Sequence, residues 1–251
     1  MAIRIGHASI DEKGKISGGT AGDQNGKEVC IRSWYSGGWE FLARAKEPVV
    51  GEKIAAACEA GCANPNIGYD QVQRNTLNAQ AKKVNYELSK IDVPCEADCS
   101  AFVSVCVLAA GVKIEDFGNL PTTRTLKSAL TNAGEFKILT DNKYLDSTGF
   151  LRRGDILCKA GSHAVIVLDS GTEVEMTEGL FPLLKRGSKG AAVKSLQILL
   201  EGHGFFCGTW GADGDFGSAT EMALKSFQKA KGLTQNGQAG EEIWMRLLGI
   251  G

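Results

Sequence analysis

The feature that most constrains this chain is a change of pattern near residues 176–186. There, in Met176-Thr-Glu-Gly-Leu-Phe-Pro-Leu-Leu-Lys-Arg186, Pro182 fixes the backbone and a helical period begins soon after. Val193, Leu196, Leu199 and Leu200 fall on one helical face. Thr220, Ala223, Leu224 and Phe227 repeat the spacing, and Ser218 with Glu221 reads as a capping box. Ile243, Trp244, Leu247 and Leu248 mark a third helix, stopped by Gly249. Residues 183–251 therefore predict a small all-α unit of three helices, joined through a linker at 177–182 to a larger unit at 1–176. Asp213 and Asp215, in the glycine-rich loop between the first two helices, lack the later oxygen ligands of a calcium loop and are read as local turn acceptors.

The larger unit mixes periods. Ala164–Leu168 is a β-branched run, Ile156–Cys158 is a second strand, and Ala101–Ala110 before Gly111 is a buried helix. Asp169-Ser-Gly171 reads as a turn from which Thr172–Glu175 returns beside Ala164–Leu168, and Asn25-Gly26 is a hairpin signal. The fold class expected is α+β, followed by the three-helix unit.

Net charge −1 removes the electrostatic reason to expect nucleic acid or an anionic membrane as partner. Apolar runs such as Phe102–Ala110 are too short to span a bilayer. The start Met-Ala-Ile-Arg-Ile-Gly-His has no signal-peptide pattern, which predicts synthesis in the cytoplasm and reduced thiols. Among eight cysteines, Cys58, Cys62, Cys95 and Cys99 have spacings that a four-thiolate zinc site could use. Cys30, Cys106, Cys158 and Cys207 lie in apolar surroundings and read as small core residues.

One stretch carries chemistry. In Pro94-Cys-Glu-Ala-Asp-Cys-Ser100, Cys99 stands where a loop meets the start of an apolar helix. The positive end of the helix dipole favours thiolate there. A nucleophilic thiol also needs a base, and His163 opens the strand Ala164–Leu168. A third polar group should orient the imidazole; Glu175 returns near His163 in the expected hairpin, and Glu173 is the next choice. His7 and His203 compete for the base role. Here Cys99 and His163 have a structural reading too, as a helix-start core residue and a solvated strand edge.

Asp98-Cys-Ser100, Leu151-Arg-Arg-Gly-Asp-Ile-Leu157 and Ser162-His-Ala-Val-Ile-Val-Leu-Asp-Ser-Gly171 resemble the NlpC-type papain-like cysteine peptidase family of cell-wall hydrolases. The resemblance implies a papain-like catalytic domain with Cys99 as nucleophile, His163 as base and Glu175 as the orienting residue. It departs at Ala101, where the family has glycine, and at Glu175, where it has His, Asn or Gln. The first residues, Ile5-Gly-His-Ala-Ser-Ile-Asp-Glu12 and Ala21-Gly-Asp-Gln-Asn-Gly-Lys-Glu-Val29, are similar to the N-termini of phage endolysins, and Asp23, Gln24 and Tyr69 are candidates for substrate contacts. Arg186–Gln197, Asp213-Gly-Asp-Phe-Gly217, Phe227-Gln228 and Gly240-Glu-Glu-Ile-Trp244 resemble the three-helix peptidoglycan-binding domain.

Together these resemblances imply a hydrolase of bacterial peptidoglycan, reaching the wall after release by lysis, with no cofactor and no metal. The implied bond is D-γ-glutamyl to a diamino acid. The alternatives are an N-acetylmuramoyl-L-alanine amidase and a non-catalytic wall-binding protein. The residues leave the oligomeric state open.

Overall fold

The computed structural model describes residues 2–114, 119–173 and 181–249. It divides into two compact units, Met1–Val174 and Glu175–Gly251. In the first, the strands are β1 (Arg4–Ala8), β2 (Val29–Ser33), β3 (Phe41–Ala45), β4 (Ile67–Tyr69), β5 (Cys95–Ala97), β6 (Phe136–Leu139), β7 (Ile156–Lys159) and β8 (His163–Val167). Its helices are α1 (Pro48–Cys62), α2 (Thr76–Lys83), α3 (Cys99–Ala109), α4 (Leu126–Asn132) and α5 (Asn142–Leu145). Six strands form one antiparallel sheet in the order β2-β1-β8-β7-β3-β6, while β4 and β5 form a separate parallel pair.

Strand alternation gives the sheet two apolar faces. Ala8, Ala43, Ala164 and Ile166 face α1 and α3 in the main core. Ile5, Leu42, Leu157, Val165 and Val167 face the opposite side in a second core with Trp39, Tyr144 and Leu151. Because α3 is buried from Cys99 through Val107, it shows no amphipathic stripe and reads as one apolar run. The packing of α1 on β1 is close enough that a Cβ at Gly6 would lie 2.3 Å from Cys58 Sγ.

The connection from β1 to β2 is a long excursion rather than a tight hairpin. Asp23 Oδ1 gathers the N–H groups of Asn25, Gly26 and Lys27, and Gly26 takes a left-handed φ of 70°. Three buried acids tie the excursion down. Asp70 accepts from Gly18 N–H (2.7 Å), Glu96 from Gly22 N–H (3.0 Å) and Glu28 from Gln24 N–H (3.0 Å). Burial pushes the Glu96 carboxyl up to about 8.

One expectation needs correction, and one alternative gains no support. Residues 172–173 form no strand beside β8; Gly171 N–H and Glu173 N–H instead donate to Leu151 O and Gly149 O. The edge of β8 that the return strand was to occupy is taken by β1, with Ile5 opposite Val167. The four thiols whose spacing could suit zinc do not converge: Cys58 and Cys62 lie on α1, with Cys58 bonded to both Cys106 and Cys62, while Cys95 lies on β5 and Cys99 opens α3. No group of three or more His, Cys, Asp or Glu among the described residues is set to hold a metal ion, and all eight cysteines are free. No helix among the described residues is long and apolar enough to cross a membrane.

The second unit holds α6 (Ala191–Gly202), α7 (Ser218–Ala230) and α8 (Glu241–Leu248) around Val193, Leu196, Leu200, Phe216, Leu224, Phe227 and Trp244. Ser218 is the first helical residue of α7 and Gly217 its cap, so the capping box does not form. Glu221 instead pairs with Lys225 at 2.7 Å and Arg186 at 3.5 Å. Two glutamines brace the loops after α6 and α7 in the same way. Gln197 Nε2 donates to Asp213 Oδ1 (2.9 Å) and Asp215 O (3.1 Å), while its Oε1 accepts from Gly214 N–H (2.8 Å). Gln228 Nε2 donates to Asn236 Oδ1 (2.8 Å) and Gln238 O (3.1 Å), while its Oε1 accepts from Gly237 N–H (3.0 Å). The two aspartates of the glycine-rich loop are thus turn residues: Asp213 Oδ1 also accepts from Asp215 N–H, and Asp215 pairs with Lys189.

Candidate functional site

Asp98 caps α3, its Oδ1 accepting from Ala101 N–H at 2.7 Å and from Ser100 Oγ at 2.8 Å. The same carboxylate receives Arg74, through Nε at 2.5 Å and Nη2 at 3.2 Å, and Arg74 Nη2 also donates to Ser100 Oγ at 3.0 Å. The Asp-Cys-Ser triplet is therefore a clamped helix start that holds Cys99 at a fixed angle. Arg74, in a Gln-Arg-Asn stretch before α2, carries no sequence signal for this role.

Cys99 is 5% exposed, and its thiol faces the backbone N–H groups of Ser100 and Ala164. Ala164 follows His163, so sulfur and imidazole stand at the same end of β8. Alternation along β8 puts His163 on the face of Val165 and Val167, while Cys99 belongs to the α3 face. The two groups lie at the rim where the sheet ends, with no direct hydrogen bond between them among the described contacts. Burial, then Asp98, pushes the thiol up to about 11, although the two N–H groups pull it down. This reverses the expected electrostatics, because desolvation outweighs the helix dipole and the resting group is a thiol.

His7 stands directly beside His163. It lies on β1, 3% exposed, with Nδ1 2.8 Å from His163 Nε2. Burial lowers His7 to about 3, with the neighbouring imidazole and Arg32 adding to the shift, and burial then Arg32 lowers His163 to about 4. Both rings are neutral, so one must donate and the other accept. Cys30 is opposite His7 across β1 and β2, its Sγ 3.7 Å from His7 Nε2. It is half-buried beside a ring nitrogen, not the core residue expected from its surroundings. Trp39 stacks on His163 at 6.4 Å between ring centres, and Tyr35 packs against Trp39.

The other predicted residues sort as follows. Glu175 lies outside the described residues. Glu173 is tied to the 149–152 loop, its carbonyl accepting from Arg152 Nη2. Asp23 and Gln24 spend their side chains on their own loop, Gln24 Nε2 donating to Ala21 O. Tyr69 is buried within the field of Cys99 and Asp98, and burial pushes its hydroxyl up to about 12. His203 sits in the second unit, where its Nε2 is 2.7 Å from Leu247 O.

Residues 5–174 match the family model described as an endolysin-like domain, and residues 189–247 match that of a peptidoglycan binding domain. Similar proteins include the N-acetylmuramoyl-L-alanine amidase CwlL of Bacillus licheniformis, 33% identical over 41% of this chain and 28% of that one. A zinc D-Ala-D-Ala carboxypeptidase of Streptomyces albus G is 44% identical over 26% of this chain and 25% of its own length. This chain thus spans about a quarter of either relative. Among solved structures, the N-terminal domain of SleB is 36% identical and covers 28% of this chain and 92% of that one, with a TM-score of 0.26.

Proposed function

The chain belongs to the endolysin-like domain family, and on that premise we propose that it hydrolyses an amide bond in the peptide part of bacterial peptidoglycan, with Cys99 as nucleophile. The observation that carries this reading is the clamped thiol at the start of α3 beside the strand end that bears the His163–His7 pair. The second unit, by its match, would hold the chain on the same polymer and raise its effective concentration there.

His163 Nε2 is committed to His7, so His163 Nδ1 is the base. In this arrangement Nε2–H of His163 donates to His7 Nδ1, and the remaining N–H of His7 points at Cys30 Sγ. His7 thereby takes the orienting role that spacing gave to Glu175. Because the thiol is protonated at rest, proton transfer to His163 accompanies attack on the carbonyl instead of preceding it. Active-site hydrogen bonds that are long without substrate tighten when it binds. The new C–S bond leaves a tetrahedral oxyanion, for which the N–H of Cys99 at the helix start is a donor. Collapse breaks the C–N bond, the imidazolium gives its proton to the departing amine, and water then hydrolyses the thioester.

Two bonds fit this chemistry. The Asp-Cys-Ser and Gly-Asp resemblance favours D-γ-glutamyl to a diamino acid. The amidase name of the CwlL relative favours the bond between muramic acid and L-alanine. Digestion of purified walls by the full chain, followed by mass spectrometry, distinguishes them. A new amine on the diamino acid identifies the first and a new amine on L-alanine the second. Cys99→Ala should release neither; equal release by this variant and the unaltered chain would overturn the assignment of the nucleophile.

A further inference from the structure

Arg32 differs from three arginines of the first unit that are paired with carboxylates. Arg44 reaches Asp155 at 2.7 Å, Arg74 reaches Asp98 at 2.5 Å, and Arg153 reaches Glu59 at 2.6 Å. Arg32 has no carboxylate partner among the described residues. Its guanidinium lies over the ring of Tyr35, 4.8 Å from the centroid. It is exposed on β2, two residues beyond Cys30, so alternation puts it on the same face as His7 and Cys30. Its charge is near enough to depress both imidazoles, and Tyr35 in turn lies within the field of Cys99. A guanidinium held over an aromatic ring spends none of its N–H groups on a carboxylate, and its N–H edge matches one with two parallel hydrogen bonds.

We propose that Arg32 is a specificity residue that binds a free carboxylate of the substrate next to the bond being cut. The inference rests on the hydrolase reading above and narrows it to a substrate class: wall peptides bearing an ionised carboxylate beside the scissile amide, in preference to the same peptides capped there as the primary amide. An uncharged amide offers one oxygen acceptor and leaves the cation unmatched, so the difference is read as affinity.

The test is binding to the full-length Cys99→Ala protein, measured by calorimetry with the tripeptide L-Ala-γ-D-Glu-L-Lys as its α-carboxylate and as its α-carboxamide. The free acid should bind about tenfold tighter or more, in keeping with a charge-assisted pair. Adding Arg32→Gln should bring the acid to the affinity of the amide, while Arg32→Lys should keep part of the preference. Equal affinities for the two forms, a preference that survives Arg32→Gln, or no binding of either form would overturn the proposal. Hydrolysis of both forms by the unaltered chain is measured separately. Selective binding with no lysine released would rule out cleavage at the D-γ-glutamyl bond, leaving the carboxylate site and the cut at L-alanine standing.

Discussion

The two units use chain length in opposite ways. In the second, each helix packs through residues three and four apart, and each loop is braced by a glutamine from the helix just before it. In the first, the candidate site is assembled from His7, Cys30, Arg74, Cys99 and His163, which are scattered over more than half the sequence. A binding module built from local contacts tolerates drift elsewhere in the chain. The residues of the candidate site must instead be brought into one geometry by sheet order, and here that order is β2-β1-β8-β7.

Breaking the non-local assembly should therefore abolish chemistry without touching wall attachment. His163→Gln keeps a polar side chain but removes the base, and turnover should fall by about 10²–10⁴-fold. Sedimentation with purified walls should stay unchanged, since attachment is assigned to the other unit. If attachment is lost in parallel, the division of labour is wrong.

His7→Ala removes the partner of His163 Nε2 but leaves the base in place. Turnover should drop by roughly 10²-fold, near the lower end of what a positioned acid–base group contributes. The loss should fall on kcat with little change in KM. Restoring a hydrogen-bond acceptor with His7→Asn should recover part of it. An unchanged kcat for His7→Ala would return the orienting role to a residue outside the described segments, Glu175 first among them.

How much was legible follows the same division. Helical periods place α6, α7 and α8 because 3.6-residue spacing is a local signal. The Cys99 helix start and the His163 strand were likewise visible, each from its own neighbours. What no local pattern carries is which strand lies beside β8. The turn at Asp169–Gly171 suggested a hairpin, but Asp169 is held by Arg4, Oδ2 accepting from Arg4 N–H at 2.8 Å and Oδ1 from Nη2 at 2.8 Å. That pairing draws β1 against β8 and brings His7 to His163. The capping box failed for a smaller reason, since Gly217 supplies the extended residue before α7 and Glu221 finds cations instead.

Acid should separate the units thermodynamically. His7 and His163 have folded values of about 3 and 4, below the usual imidazole value of 6.5. The unfolded chain then binds more protons than the folded one between those limits. The stability this represents is complete above pH 6.5 and is lost as pH falls toward 4. In the second unit, Asp213 and Glu221 are held below ordinary carboxylate values, so their contribution survives until pH falls below that range. Glu96, held up at about 8, takes its proton over the same interval and offsets part of this loss, so calorimetric scans from pH 7 to pH 5 should move the first unit's transition downward by less than the two histidines alone would, and leave the second nearly still. In His7→Gln the first transition should shift less over the same interval; an equal shift would place the acid sensitivity elsewhere.

The smallest effect tests whether the second unit is as local as it looks. Gln197 and Gln228 are each 1% exposed and make equivalent bonds, one side-chain oxygen to a glycine N–H and one nitrogen to the loop. Both glycines take left-handed backbone, with φ of 82° at Gly214 and 67° at Gly237, so each loop has one shape that its glutamine recognises. Truncation would leave buried loop groups without partners, at a cost of about 1–3 kcal/mol in each case. Gln197→Ala and Gln228→Ala should thus lower the second transition by similar amounts and leave hydrolysis of a soluble wall peptide intact. The braces reach different loops and share no partner, so the two losses should add in the double variant. A double variant no worse than either single one would mean that the loops are coupled, and that this unit holds together as one cooperative piece rather than helix by helix.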